Sequence, residues 1–326
     1  MPKNNLKKYK SVFIAGHRGM VGSAIKNYIS KKYKNLKIIT ASRTNLDLRS
    51  QKNVLSFFKS QKPDLVIIAA AKVGGILANS KYPAEFIYDN LMIQNNVIHA
   101  AYLYKVKRLL FLGSSCIYPK LNKQPIKEED LLSGKLEETN EAYAISKIAG
   151  IKLCQYYNKQ FNTDFRSVMP TNLYGPGDNY DLNNSHVIPA LIRKFHDGKT
   201  KNKQKVIIWG TGKPKREFLF VDDLAKACLL VLQLSKRKYS SLLSEKLSHI
   251  NIGYGEDISI RKLSKLIAKI VKFNGKVDFD ISKPDGTPKK LLDVSLIKDI
   301  GFVPSMNLED GIAYTYKSFL KEKGLK

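Results

Sequence analysis

Tyr143 and Lys147 stand four residues apart in Tyr143-Ala144-Ile145-Ser146-Lys147. On a helix such residues share a face. The ammonium can then lower the phenol pKa and make it a usable proton donor. The spacing alone carries little in a chain with 17 Tyr and 47 Lys, and Tyr28/Lys32 and Tyr33/Lys37 also have it. Those two fall in or just after the first expected helix, away from the strand C-termini where parallel sheets hold ligands. Tyr143/Lys147 instead follows an apolar run that ends Leu112-Gly113-Ser114-Ser115-Cys116. Ser114 can bond the same substrate oxygen as Tyr143. Cys116 lies two residues further, on the rim of that site, although a lone cysteine is ordinarily a small core hydrophobe. His186, in Asn184-Ser185-His186-Val187, is equally compatible with a structural or solvent-exposed histidine.

A second constellation is Gly16-His17-Arg18-Gly19-Met20-Val21-Gly22, with glycines at i, i+3 and i+6. Glycine permits a sharp turn and close backbone approach to a pyrophosphate, whose charge a helix N-terminus stabilises. The turn sits between an expected strand and an expected helix, the context that points to a dinucleotide. An NAD site calls for an acid at the end of the second strand. Thr40-Ala41-Ser42-Arg43 offers a guanidinium there, and Arg18 adds another. Unless Arg43 merely faces solvent, the pair favours a 2′-phosphate, hence NADP(H).

The elements that must position these residues follow from periodicity. Ser11–Ala15, Leu36–Thr40, Asp64–Ala71, Arg108–Leu112 and Phe165–Pro170 read as strands, the third a continuous apolar run of the doubly buried kind. Met20–Lys32, Val54–Ser60, Pro83–Tyr104 and Glu141–Phe161 read as helices between them. Such alternation implies an α/β fold with a doubly wound parallel sheet. Beyond Pro170, clustered Pro, Gly, Asn and Asp suggest loops over a site and a smaller second lobe. Phe218–Val221 then Asp222–Leu234 reads as a strand-to-helix unit, Ile260–Val271 as a helix and Lys283–Lys290 as a basic loop. The expected division is 1–173, with roughly 215–250 returning to it, against a lobe of 174–214 and 251–326.

At 326 residues the chain can bury a core without covalent staples. Three cysteines without C-x-x-C spacing disfavour a disulfide scaffold, a redox pair and a zinc finger, and fit a reducing compartment. No metal site is expected. Cys154 and Cys228 fall in apolar helical stretches, and His17, His99, His196 and His249 show no partner pattern. The net charge of +28 invites nucleic acid or an anionic membrane as partner. Only 9 of the 56 cations are Arg, however, and selective phosphate and base readers lean on Arg. Evenly spread Lys is the signature of solvated faces. No apolar run approaches the ~20 residues of a membrane span, and the apolar run behind the basic start is too short for a signal peptide. A cytoplasmic protein is expected, without nucleic-acid or membrane partners.

Six segments are more specific. They are Val12-Phe13-Ile14-Ala15-Gly16-His17-Arg18-Gly19-Met20-Val21-Gly22, Ala69-Ala70-Ala71-Lys72-Val73-Gly74-Gly75-Ile76 and Gly113-Ser114-Ser115-Cys116-Ile117-Tyr118-Pro119. The others are Pro170-Thr171-Asn172-Leu173-Tyr174-Gly175-Pro176, Ser185-His186-Val187-Ile188-Pro189-Ala190-Leu191 and Lys283-Pro284-Asp285-Gly286-Thr287-Pro288. With these, nearly end to end, the chain resembles the GDP-L-fucose synthase family of extended short-chain dehydrogenase/reductases. The resemblance implies a Rossmann-type doubly wound sheet with a C-terminal α/β substrate lobe. It also implies a GDP-linked 4-keto-6-deoxymannose substrate, epimerised at C3 and C5 and then reduced at C4 with NADPH. Cys116 and His186 resemble the acid/base pair; thiols near pKa ~8.5 and imidazoles near ~6.5 both exchange protons around neutrality. Which is base and which acid stays open. Tyr143 resembles the donor to the forming alkoxide, held by Ser114 and poised by Lys147.

By the same resemblance, Gly16 to Gly22, Arg43, Thr44, Asn45, Leu46, Asp47, Leu48, Leu112, Gly113, Ser114, Ser115, Lys147, Pro170, Thr171, Asn172, Leu173 and His186 line the cofactor. Lys194, Trp209, Arg216 and Asp285 resemble contacts to the substrate nucleotide. Arg193 beside Lys194 can carry the same charge contact, and Trp209 is alternatively a core residue. Pro83–Tyr104 and Glu141–Phe161 resemble helices that pair into a four-helix bundle in homodimers. Two other readings compete. One is another nucleotide-sugar epimerase, dehydratase or reductase of the same fold, of which a dehydratase or 4-epimerase would recycle its cofactor internally; the other is a basic nucleic-acid- or membrane-binding protein on an inactive scaffold, which would bind with steep salt dependence and turn over no NADPH.

Overall fold

The structure is a computed structural model that describes residues 5–182, 184–244, 247–283 and 285–324, apart from the side chains of Asn5 and Ile76. Pro284 of the Lys283–Pro288 segment therefore lies outside the described residues. The first half runs β1 (Ser11–Ala15), α1 (Met20–Lys32), β2 (Lys37–Ile39), α2 (Gln51–Gln61), β3 (Leu65–Ile68), α3 (Ile76–Lys81), α4 (Pro83–Leu103), β4 (Arg108–Leu112), α5 (Glu141–Phe161) and β5 (Phe165–Pro170). Then follow β6 (Asn172–Tyr174), α6 (Val187–Thr200), β7 (Lys205–Trp209), β8 (Lys215–Phe220), α7 (Val221–Gln233), α8 (Lys236–Ser240), β9 (Ile250–Ile252), β10 (Asp257–Ser259), α9 (Ile260–Val271), β11 (Lys276–Asp280), β12 (Lys289–Lys290), α10 (Ser295–Asp299) and α11 (Leu308–Glu322).

β3 and β4 are buried at every position, which is why they read as unbroken apolar runs. Six parallel strands make the main sheet in the order β2-β1-β3-β4-β5-β9. The order reverses between β1 and β3, so a crevice opens beyond their C-terminal ends. There Ala69 N–H donates to Ala15 O at 3.0 Å and the chain then leaves the sheet. This ends β3 at Ile68, short of the Ala71 expected from the apolar run. Helix α1 packs beside α7, and α2, α4 and α5 pack in series.

The smaller sheets hold the rest. β8 pairs with β6 and β12 in parallel and with β10 antiparallel, while β7 pairs with β11. Lys289–Lys290, expected as loop, form β12 because they lie beside Lys215 and Arg216. The apolar side chains form two clusters. One fills the main sheet and includes Leu292, Val294, Ile297, Ile300 and Phe302 from near the C-terminus. The other gathers α6, β7, α9 and α11 around Ile192, Phe195, Ile267 and Phe319.

At the opposite end of β4 and β5 from the crevice, Asp164 pairs with both Arg108 and Arg166 at 2.6 and 2.7 Å. The two guanidinium groups are 2% and 0% exposed. They also donate to the carbonyls of Leu232, Val231 and Leu234 at the end of α7. Removing one partner of a buried ion pair strands the other charge, at a cost of about 3–5 kcal/mol. Asp164→Ala should therefore lower the unfolding free energy by about that amount in a urea titration. A change within ~0.5 kcal/mol, typical of surface sites, would show that the two arginines are satisfied by carbonyls alone.

Candidate active site

The Gly16–Gly22 turn lies at the strand-order reversal. Gly16 has φ +85°, and a Cβ there would come within 2.6 Å of Ala70 N. A Cβ on Gly22 would strike the Gly16 carbonyl, so this glycine lets α1 start against the turn. The N–H groups of Met20, Val21 and Gly22 open the helix without intrahelical acceptors. No acid occupies its first turn, and its N-cap residue, Gly19, has no side chain to cap it. This cradle suits a pyrophosphate. Arg18 and Arg43 are exposed at the C-terminal ends of neighbouring strands. The nearby acid, Asp47, is turned to Arg49 at 2.8 Å, whose hydrogen bonds hold its carboxyl at about 2. Leu46 is buried in the core, while Thr44 and Asn45 are exposed. The residues present therefore fit a 2′-phosphorylated dinucleotide.

β4 delivers the next group of residues. Beyond Leu112, Ser114 Oγ accepts from Cys116 N–H at 3.4 Å and closes residues 115–117 into a short helical turn. Helix α5 brings Tyr143 and Lys147 to the same place. Lys147 is 4% exposed; its Nζ donates to Leu112 O at 2.9 Å and stands 4.9 Å from the Phe111 ring centroid and 5.8 Å from that of Tyr143. Burial lowers the Lys147 pKa to about 8. Burial raises the Tyr143 phenol, the neighbouring Cys116 charge raises it further, and a hydrogen bond with Ser114 opposes both. Lys147 was expected to lower this pKa. Burial raises it instead, so the phenol stays protonated. Phe86 of α4 meets the Tyr143 ring edge-on, with centroids 6.3 Å apart.

Around Cys116 the structure collects groups from distant parts of the chain. Asn140 Nδ2 donates to Cys116 Sγ at 3.6 Å. Arg216 keeps solvent access but is hemmed in by protein, and this burial lowers its pKa; the charges of Cys116, Asp285 and Glu137 oppose the shift. The thiol thus lies within electrostatic reach of both the phenol and the guanidinium. His186 is the N-cap residue of α6 and leaves that cap unmade. Its ring is open to solvent yet surrounded, and burial lowers its pKa. Among the described residues the ring has no hydrogen-bond partner. The loop before it is braced by Gly75, whose N–H donates to Asn184 O at 3.1 Å and whose missing Cβ would lie 2.8 Å from Ser185 O.

The second lobe supplies the remaining candidates. Trp209 is 51% exposed, which removes the core alternative, and the Lys194 and Lys283 ammonium groups lie 5.7 and 5.8 Å from its ring. Arg193 is taken by Asp197 at 2.9 Å, leaving Lys194 to face Trp209. Asp285 accepts from Thr211 N–H and Oγ1, both at 2.7 Å, and so fastens the Trp209–Thr211 turn to its own loop. Pro170, Thr171, Asn172 and Leu173 lie at the end of β5 and the start of β6, where Thr171 and Asn172 both donate to Glu217 O. Sequence reasoning passed over Asn140, Glu137 and Phe86. None carries a motif, since each matters only through the residue it touches. Three of the histidines left without a partner find tyrosines: His99–Tyr157, His196–Tyr316 and His249–Tyr118.

The model of the NAD dependent epimerase/dehydratase family matches residues 12–253. The GDP-L-fucose synthase of Escherichia coli K12 is 54% identical over 312 residues, 96% of this chain and 97% of the relative. Among solved structures, a GDP-mannoheptose C4 reductase from Campylobacter jejuni with NADP bound superposes with a TM-score of 0.87 at 38% identity, over 95% of this chain and 98% of that one. A GDP-L-fucose synthetase from Naegleria fowleri bound to NADP does so with 0.86 at 29% identity, over 97% and 94%. No helix among the described residues is long and apolar enough to cross a membrane. A parallel sheet that reverses over a glycine cradle and relatives matched along nearly the whole chain lead to one assignment: the chain belongs to the NAD dependent epimerase/dehydratase family and, within it, to the GDP-L-fucose synthases.

Proposed function

We propose that Cys116, His186, Tyr143, Ser114 and Lys147 divide between them the two halves of one reaction, the NADPH-dependent conversion of GDP-4-keto-6-deoxymannose to GDP-L-fucose. One observation carries this reading. Cys116 lies within electrostatic reach of both Tyr143 and Arg216. A thiol able to exchange protons, a phenol able to protonate an alkoxide and a cation suited to a diphosphate thus address one space. The 54% identity to a GDP-L-fucose synthase, against 38% for the GDP-mannoheptose reductase, supports the same substrate class.

The C4 ketone acidifies the hydrogens at C3 and C5, because the electron pair left behind can move onto oxygen. Inversion removes a proton from one face and returns one to the other, so two groups must flank the ring. Cys116 approaches from β4 and His186 from the second lobe, so the two can flank the ring. Ser114 and Tyr143 donate to the C4 oxygen when it carries charge, in the enolate and again in the alkoxide. The Gly16–Gly22 cradle, Arg18 and Arg43 would hold NADPH, which would supply the hydride for C4. Tyr143 then gives up its proton, and the Lys147 ammonium stabilises the phenolate left behind. A lobe formed mainly by 174–214 and 251–326 holds the nucleotide through Lys194, Trp209, Arg216 and the Asp285 loop. We also assign a homodimer through α4 and α5, whose exposed Tyr88, Ile145 and Tyr156 suit a second copy.

Tyr143→Phe should lower NADPH oxidation by at least ~100-fold, the worth of general acid catalysis. Cys116→Ser should abolish deuterium incorporation at C3 and C5 in deuterated water while NADPH still binds. Wild-type exchange in that variant would remove the thiol from the mechanism. Lys147 gives a separate test. Its folded pKa of about 8 lies below the ~10.4 of an unfolded chain. The unfolded state therefore binds the extra proton between those values, and stability rises with pH through that window. Lys147→Met should be more stable than wild type at neutral pH but inactive, and the gap should close as pH rises from 8 towards ~10.4. Urea titrations showing a constant gap would contradict a penalty for the buried charge. Sedimentation should give a dimer that Tyr88→Lys with Tyr156→Lys converts to monomer; an unchanged mass would place the interface elsewhere.

A further inference from the structure

We propose that Asn140 is a catalytic residue of the proton-transfer half-reaction, its amide holding Cys116 Sγ in place and favouring the thiolate. The inference rests on the reading that Cys116 moves the C3 and C5 protons.

Asn140 is the N-cap residue of α5, where asparagine is favoured because its side-chain oxygen can accept from a first-turn N–H. Here that cap is not made. The side chain reaches the other way, and Nδ2 donates to Cys116 Sγ at 3.6 Å. Its Oδ1 is buried and has no partner among the described residues. A buried acceptor left unpaired is a standing penalty that asks for a reason. The contact with sulfur supplies one: the amide is oriented for Sγ at the expense of its own oxygen and of the helix end. Asn140 N–H is itself tied to Glu137 O at 3.1 Å, which fixes the residue in its turn.

The surroundings act in the same direction. The sulfur lies at the N-terminus of a 21-residue helix, the positive end of its dipole, and Arg216 adds a cation within reach. Glu141 in the first turn works against both. An amide suits this position because it donates without ever competing for the proton in transit. In the step itself the thiolate takes a proton from the carbon acid: the C–H bond breaks, the S–H bond forms, and the electron pair moves to the C4 oxygen as the enolate. Return of a proton from the protonated His186 imidazole to the opposite face restores the ketone, and no external oxidant or reductant is needed. The Nδ2–H donor stabilises the sulfur whenever it is charged, before the transfer and after release.

The test compares Asn140→Ala and Asn140→Asp with wild type, with Cys116→Ser in parallel. Three quantities are read: iodoacetamide alkylation of Cys116 at neutral pH, deuterium incorporation at C3 and C5, and NADPH affinity with thermal stability. Cys154 and Cys228 are 1% and 0% exposed, and Cys116→Ser measures whatever background they give. Asn140→Ala should slow both alkylation and deuterium incorporation by roughly tenfold, as for a lost hydrogen bond to a charged group. Asn140→Asp should slow them further, since it sets a carboxylate against the sulfur. NADPH affinity and melting temperature should stay at wild-type values, because no cap is lost. Wild-type alkylation or wild-type exchange in Asn140→Ala overturns the proposal, as does a loss that tracks falling stability or NADPH affinity in both variants. Exchange that survives in Cys116→Ser instead overturns the reading of Cys116 itself, whatever Asn140 does.

Discussion

Burial of one ammonium organises the candidate active site. Lys147 is almost inaccessible to water, and a cation there survives only with partners that replace hydration. It finds them at the end of β4, in the Leu112 carbonyl and the face of the Phe111 ring. The strand that carries Ser114 and Cys116 and the helix that carries Tyr143 are thereby joined at a single charge. The penalty is visible in the depressed pKa of about 8. An arrangement chosen for stability alone would place an apolar side chain at this position.

The contact requires α5 to lie unusually close to the sheet. Gly150, one turn beyond Lys147, makes that possible: a Cβ there would strike the Phe111 ring and come within 2.9 Å of Gln94 Oε1. Gln94 in turn donates to Ser146 O at 2.5 Å, tying α4 to α5 just before Lys147. From the same α4, Phe86 meets Tyr143. The helix pair is thus the rigid wall against which the catalytic turn is set. Residues buried on its inner side hold Tyr143 and Lys147 in place, and Tyr88 and Tyr156, exposed on its outer side, belong to the surface proposed for a second copy.

The parallel half of the fold was legible because its strands are short apolar runs separated by amphipathic helices, and Gly16–Gly22 has a spacing with one physical use. Glu141–Phe161 was readable end to end, since its apolar face repeats on both sides of the Tyr143/Lys147 pair. Late in the chain only the Phe218–Leu234 unit and the Ile260–Val271 helix were legible. β9, β10 and β12 are two or three residues long, too short for any periodicity, and their pairing is set by contacts far away in the chain. At the candidate site, Tyr143, Lys147 and Ser114 could be singled out because spacing carries their chemistry, and the fold brings them together. Asn140 and Glu137 were not, because a lone amide or carboxylate in a polar stretch signals nothing until the fold brings sulfur or a guanidinium to it. The expected direction of the Tyr143 shift failed for a related reason: spacing reports a neighbouring charge but not how deeply the phenol is buried.

Arg216 shows how the remote half of the site is aimed. Along a strand successive side chains alternate in direction, so the fate of one residue decides the next. Glu217 is fully buried and its carboxylate accepts from Gly255 N–H at 2.7 Å and Leu292 N–H at 3.1 Å, while Gly253 leaves it room by lacking a Cβ. With Glu217 committed inward, Arg216 must face the cleft. A second buried carboxylate works behind the Cys116 loop. Glu128, pushed up to about 7 by burial, accepts from Asn251 N–H, while Tyr118 donates to Asn251 Oδ1 at 2.6 Å and meets His249 Nε2 at 2.7 Å. Since the phenol proton is spent on Asn251, His249 must donate from Nε2, and its buried Nδ1 has no partner among the described residues. Cys116 and Arg216 are therefore each positioned by a neighbour one or two residues away that is locked into polar contacts in the interior.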